Sequence, residues 1–227
     1  MIPLGSIFGI PLRLHWSFPL LLAYVVYLGV QNGLPPADIA LNAGFVLAIF
    51  GCVVLHECGH AFAARRYGIA SKHITLLPLG GVVQLTRDAP TPIAEIVIAL
   101  AGPAVNVGIA AGIAAVLFVR DGLLAMPEVA PLTGGFAEQL MVANVALLIF
   151  NLIPAFPLDG GRVLRGLLWL RLSKATATRA AARTGQALAI AMGLFALATG
   201  QLFMALIAVF ILLSATAVHR SATRPFT

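Results

Sequence analysis

The 227-residue sequence predicts an all-α membrane protein: a polytopic bundle of about six transmembrane helices, with a short β-hairpin and edge strands near the cytosolic side. Three observations predict it. Hydrophobic residues make up 60% of the chain and charged ones only 10%, which leaves too little polar surface for a soluble domain. Apolar runs of near-spanning length recur from end to end. The basic residues fall almost entirely on one side of the arrangement those runs define. At this length about six spans and short connections fit, so 1–227 reads as one integral-membrane domain.

Residues 7–14 alternate loosely, Ile10, Leu12 and Leu14 against Pro11 and Arg13, which predicts a short strand with Pro11 marking it as an edge. The first span is 16–30, with Trp16, Tyr24 and Tyr27 available for interface positions. No charge cluster precedes that run and no small-x-small site follows it, so no cleavable signal is expected. Residues 31–38, with Pro35-Pro36, form a turn. The second span, 39–67, carries His56-Glu57-Cys58-Gly59-His60 inside an apolar helix over 46–67.

Segment 71–85 does not read as a helix. Its β-branched residues, Pro78 and Gly80-Gly81 predict two short strands and a tight turn, either an ordinary hairpin or one whose open edge and glycines admit another backbone. The third span, 93–119, contains Ala101-Gly102-Pro103, small enough for close helix packing, and Asn106, which needs a partner inside the bundle. A polar loop with three acids fills 120–138. The fourth span, 139–153, runs into Asn151–Gly161, where Pro154, Pro157, Gly160 and Gly161 cannot continue a regular helix. Broken backbone at membrane depth is tolerated where protein or a water-filled cavity satisfies it. The basic stretch 162–183 predicts a partly amphipathic helix along the membrane surface. Two spans, 187–199 and 202–218, close the chain around a Gly200-Gln201 turn; the first is short and either extends back through Arg183 or tilts.

With six spans and the N-terminus inside, thirteen of the fourteen Lys and Arg collect on the cytosolic side and only Arg120 falls opposite. Both termini are therefore expected in the cytosol, with the chain in the cytoplasmic membrane. The net charge of +6 does not point to nucleic acid, because the basic residues lie in short clusters beside apolar segments without interleaved aromatics. Cys52 and Cys58, six apart on one helix, face different ways, so no disulfide joins them.

The chemistry is concentrated in the second span. On a helix advancing about 100° per residue, His56 and His60 project from one side, with Glu57 about a quarter-turn round. Two imidazoles so spaced can share a zinc ion, and the adjacent carboxylate can take a proton from water there. The alternative is a pair of core histidines hydrogen-bonded within the helix, against which stands the cost of burying Glu57 and two His among apolar residues without a partner. A hydrolytic zinc needs three protein ligands and an open position. His56 and His60 precede Arg65 closely enough to lie on the order of 10 Å below the cytosolic surface, and Asp159 enters from the same side at the end of the fourth span. Of the eight acids only Glu57 and Asp159 are placed deep, which makes Asp159 the candidate third ligand; its other reading is a turn residue before Gly160-Gly161. His15, His73 and His219 are expected at interfaces or in loops.

His56-Glu57-Cys58-Gly59-His60 followed by Asn151-x-x-Pro154-x-x-x-x-Asp159-Gly160 resembles the site-2 protease family of intramembrane zinc metalloproteases. The Gly80-Gly81 hairpin, Ala101-Gly102-Pro103 with Asn106, and 9–16 add to the likeness, which covers 9–161 as a catalytic core; the C-terminal helices, 162–218, match only in being apolar. The resemblance implies one Zn²⁺ held by His56, His60 and Asp159, with Glu57 activating water and Asn151 helping to hold the oxyanion. It implies a transmembrane protein substrate cut within the lipid bilayer and docked as an added strand on the hairpin, with Gly80, Gly81 and Asn106 on the substrate-binding side. Many relatives carry PDZ or CBS domains, and 227 residues leave room for neither.

Two other classes would use the same residues differently. A metal-ion transporter needs a polar route through the bilayer, and the first, third, fifth and sixth spans offer few carboxylates. A scaffold with structural zinc needs a fourth protein ligand to close the site.

Overall fold

The computed structural model describes residues 1–78, 80–121 and 134–223. Among the described residues seven helices run in chain order: α1 (Phe18–Gln31), α2 (Pro36–Arg66), α3 (Pro92–Asp121), α4 (Phe136–Asn151), α5 (Asp159–Trp169), α6 (Lys174–Thr199) and α7 (Leu202–Thr223). Four strands accompany them: β1 (Ile2–Ile7), β2 (Ile10–Leu14), β3 (Ser71–Leu77) and β4 (Gly80–Leu85). Among the described residues α2, α3, α6 and α7 are long and apolar enough to cross a membrane, whereas α1 and α4 are shorter apolar helices. At 14 and 16 residues these two reach only about 21–24 Å along their axes at 1.5 Å per residue.

The chain falls into two compact units. One comprises Met1–Asp88 with Ala101–Leu148, the other Ala89–Leu100 with Ile149–Thr227. In the first, the four strands form one sheet in the order β1-β2-β3-β4, antiparallel except for the parallel β2/β3 pair. Pro11 therefore does not mark an edge, because β2 lies between β1 and β3. The strand tolerates it because pairing with β3 begins only at Leu12, so its missing N–H interrupts no bond to that neighbour. The free strand on the hairpin side is β4.

The sheet is fastened to α2 by apolar side chains. Ile10, Ile74 and Leu76 pack with Val53, Val54, Cys58 and Ala61, all buried. Residues 53–61 of α2 are thereby gripped along the stretch that carries the histidines, and the hairpin is held over it.

In the second unit, Ala155 and Leu158 pack with Ala189 and Ile211, and Phe156 packs with Ala181, Ala182 and Ala215. The turn 152–158, which includes a cis Phe156-Pro157 bond, is thus seated on α6 and α7. The basic stretch 162–183 is not one surface helix. It is divided by a break at 170–173, after which Ser173 caps α6 by accepting a hydrogen bond from the Thr176 N–H at 3.3 Å. The expected fifth span corresponds to α6, which begins at Lys174 and has 26 residues, with Arg179 and Arg183 inside it. Gly200 ends it in the left-handed conformation at φ 69°.

Glu95, not among the acids placed deep by the sequence, is fully buried in the first turn of α3. Its Oε1 accepts from Arg165 Nε at 2.8 Å and from Nη2, and the guanidinium lies 5.3 Å from the Phe156 ring centre. Of the expected loop 120–138, residues 122–133 lie outside the described residues. Its two ends are bound by an Arg120–Glu138 ion pair at 2.7 Å.

Candidate metal centre

The imidazoles of His56 and His60 are buried one turn apart on α2, with their Nε2 atoms 3.0 Å apart. Two nitrogens that close, both aimed at one point, need a proton or a cation between them. α3 crosses directly above. A Cβ on Gly102 would stand 2.6 Å from His56 Nε2 and would also strike His60 Nε2. Only glycine leaves both nitrogens uncovered.

Behind the histidines the contacts change character. His56 Nδ1 is 2.5 Å from Asn106 Oδ1, and Asn106 Nδ2 donates to Asn144 Oδ1 at 3.1 Å. Asn106 and Asn144 are both fully buried. The partner that Asn106 was expected to need is therefore His56 together with Asn144. The Asn106 amide is spent on these two neighbours.

Glu57 sits beside the metal-facing side of α2 and is 6% exposed. Its Oε2 accepts the Val83 N–H of β4 at 2.8 Å. Since that N–H points at Glu57, it points away from β3, toward the free edge of the sheet. The space that Gly81 leaves open is filled from within the chain, because a Cβ there would lie 2.6 Å from Glu57 Cγ and 2.9 Å from Val53 Cγ1. Gly80 is required for a different reason, its φ of 140°.

Asp159 is the first residue of α5 and is 7% exposed. Arg162 Nη1 lies 3.8 Å from its Oδ1. A Cβ on Gly160 would run into the carbonyls of Leu152 and Ile153, so the glycine allows the turn and the helix start to close tightly and fixes where the carboxylate begins. Asn151 is the last residue of α4 and is half-buried.

Among the described residues the metal-ligating side chains that come forward are His56 and His60 in the first unit and Asp159 in the second, all buried. Two imidazole nitrogens and a carboxylate oxygen suit a borderline-soft divalent ion. His15 bonds Ser17 Oγ at 2.5 Å, His73 lies in β3 and His219 in α7, so none of them joins the group. Asn144 and Glu95 were not singled out in the sequence, although each is a lone polar residue in an apolar helical stretch, the pattern that singled out Asn106.

Comparison with known proteins gives consistent results. The model of peptidase family M50 matches residues 44–134 and 132–192. A zinc metalloprotease of Methanocaldococcus jannaschii is 36% identical over 214 residues, covering 92% of this chain and 58% of that protein. Rip3 of Mycobacterium tuberculosis is 34% identical over 212 residues, covering 88% of this chain and 53% of its own length. The chain thus spans between half and three-fifths of these curated relatives. Among solved structures, the site-2 protease from Methanocaldococcus jannaschii matches with a TM-score of 0.71 and 32% identity, over 100% of this chain and 98% of that one.

Proposed function

Since the chain belongs to peptidase family M50, the site-2 proteases, we propose that it is a zinc endopeptidase that hydrolyses peptide bonds inside transmembrane segments of other membrane proteins. The observation that carries this reading is the approach of the buried His56 and His60 imidazoles, Nε2 to Nε2 at 3.0 Å; with Asp159 as the third ligand, a fourth position is left for reaction. One zinc per chain would polarise the scissile carbonyl there and lower the pKa of the attacking water.

Glu57 is the general base: its carboxylate takes the proton of the attacking water and passes it to the leaving nitrogen. Asn151 donates its amide to the developing oxyanion. A transmembrane helix hides its carbonyls in its own hydrogen bonds, so the substrate has to unwind before attack, and pairing with the free edge of β4 replaces the bonds it gives up. Gly80 and Gly81 lie on that strand, and Gly81 also makes room for Glu57. The edge that receives the substrate and the base that acts on it are thereby set in one register.

In this reading α1 and α4 join the four longer helices as short crossings, accommodated by local thinning of the bilayer. Six crossings in a cytoplasmic membrane put both termini and thirteen of the fourteen Lys and Arg in the cytosol.

Glu57→Ala tests the proposal. Cleavage of a transmembrane substrate should fall by about 10²–10⁴-fold while metal analysis still finds close to one zinc per chain. Continued cleavage, or zinc lost together with activity, would show that Glu57 is not the base.

A further inference from the structure

His56 can present Nε2 as a ligand only if the ring proton sits on Nδ1, and imidazole has no intrinsic preference strong enough to guarantee that. The chain of contacts behind it supplies a direction. It ends on the Leu140 carbonyl, an atom that only accepts, so the Asn144 group facing it at 2.9 Å is the NH₂. The same nitrogen reaches Cys52 Sγ at 3.4 Å, which leaves Asn144 Oδ1 toward Asn106. An oxygen there demands a donor, so Asn106 turns its Nδ2 to Asn144 and its Oδ1 to His56. An oxygen at 2.5 Å from Nδ1 in turn demands a proton on Nδ1. One fixed backbone carbonyl on α4 therefore dictates, through two amides that cannot flip independently, which nitrogen of His56 carries hydrogen.

We propose that Asn106 and Asn144 form a directional relay that locks His56 in the Nδ1–H tautomer, with Asn144 a positioning residue two hydrogen bonds from the ring. The relay rests on the reading of His56 as a zinc ligand. Its members are enclosed in apolar surroundings with no exposed surface at either asparagine, so no water competes for the links. It places the control of metal affinity on α4, a helix that supplies none of the three ligands named above.

The experiment uses the full chain, purified in detergent and loaded with zinc. In ¹⁵N-histidine-labelled wild-type protein, long-range proton–nitrogen correlation should show His56 protonated at Nδ1 and free of hydrogen at Nε2, the signal being assigned by its loss in His56→Gln. A proton on Nε2 overturns the relay without any variant having to fold. Asn144→Leu should weaken zinc affinity, read by chelator competition, by about 10–100-fold, the range typical of lost outer-shell support. Asn144→Asp, a near-isostere held neutral by burial, donates its O–H to the Leu140 carbonyl and keeps an acceptor for Asn106, and should restore affinity to within about threefold of wild type, since the hydrogen-bond pattern is unchanged. A residue that merely fills space would give Leu and Asp variants of equal affinity, and that result refutes the relay. A wild-type chain that binds no zinc refutes the metalloprotease reading itself, which keeps the two failures distinct.

Discussion

Asn106 with Asn144 and Glu95 with Arg165 are both polar groupings enclosed by apolar packing, yet one is neutral and the other charged. The neutral pair passes orientation along, since each amide has one end that gives and one that takes. The charged pair passes on no such information. A single oxygen, Glu95 Oε1, receives two donors of Arg165, while Oε2 has no hydrogen-bond partner among the described residues. What the ion pair does is hold the first turn of α3 to α5, with Phe156 beneath the guanidinium. The difference teaches how an apolar protein uses polar atoms: amides where direction matters, charges where attachment matters.

The comparison is broken most forcefully at the charged end. Glu95→Leu leaves Arg165 without its partner in a largely buried position, and removing one member of such a pair costs about 3–5 kcal/mol. The Arg165 side chain keeps 18% of its surface exposed, which puts the expected loss toward the lower value. Glu95→Leu combined with Arg165→Met should recover most of that loss, because replacing both members with apolar residues is often neutral. Thermal unfolding in detergent reads both; a double variant no more stable than the single one would mean that the attachment is not electrostatic.

These two groupings also mark where sequence reasoning stopped. The His56-Glu57 and His60 pattern was legible because its spacing is set by one helix, and helical periodicity needs no tertiary information. Asp159 is reached by an argument from depth, and it is buried at the start of α5. Glu95 is not among the acids that the sequence places deep, since position at a helix start looks the same whether that start faces solvent or a guanidinium seventy residues later. The 162–183 stretch was misread: six basic residues suggested a surface helix, while the decisive feature was the single capping Ser173. Pro11 was placed on an edge because nothing local announces that β3 pairs only from Leu12 onward. The Glu95 and Pro11 cases involve a partner far away in the chain, which composition and period do not encode, whereas the Ser173 cap is local and is outweighed by the surrounding charge.

A smaller effect sharpens the neutral side of the comparison. Asn106→Leu removes the acceptor of the His56 ring proton and the donor to Asn144 Oδ1, and stranding buried polar groups costs about 1–3 kcal/mol. Adding Asn144→Leu should bring little further loss, because the oxygen it deletes has already lost its donor; residues in one network are not additive. Equilibrium unfolding of the two singles and the double measures this. Full additivity would mean that the asparagines act separately and that no direction runs between them.

The mildest perturbation sets the scale by moving the same chemistry into solvent. Ser173 Oγ accepts the Thr176 N–H at 3.3 Å at the exposed start of α6. Ser173→Ala should cost about 1 kcal/mol, since water satisfies the freed N–H where nothing could satisfy Asn106. Zinc affinity should stay at the wild-type value, because no bond of the His56 relay passes through α6. A melting shift as large as that of Glu95→Leu would mean that α6 is held chiefly by its cap, and burial would then no longer account for the ranking of the three sites.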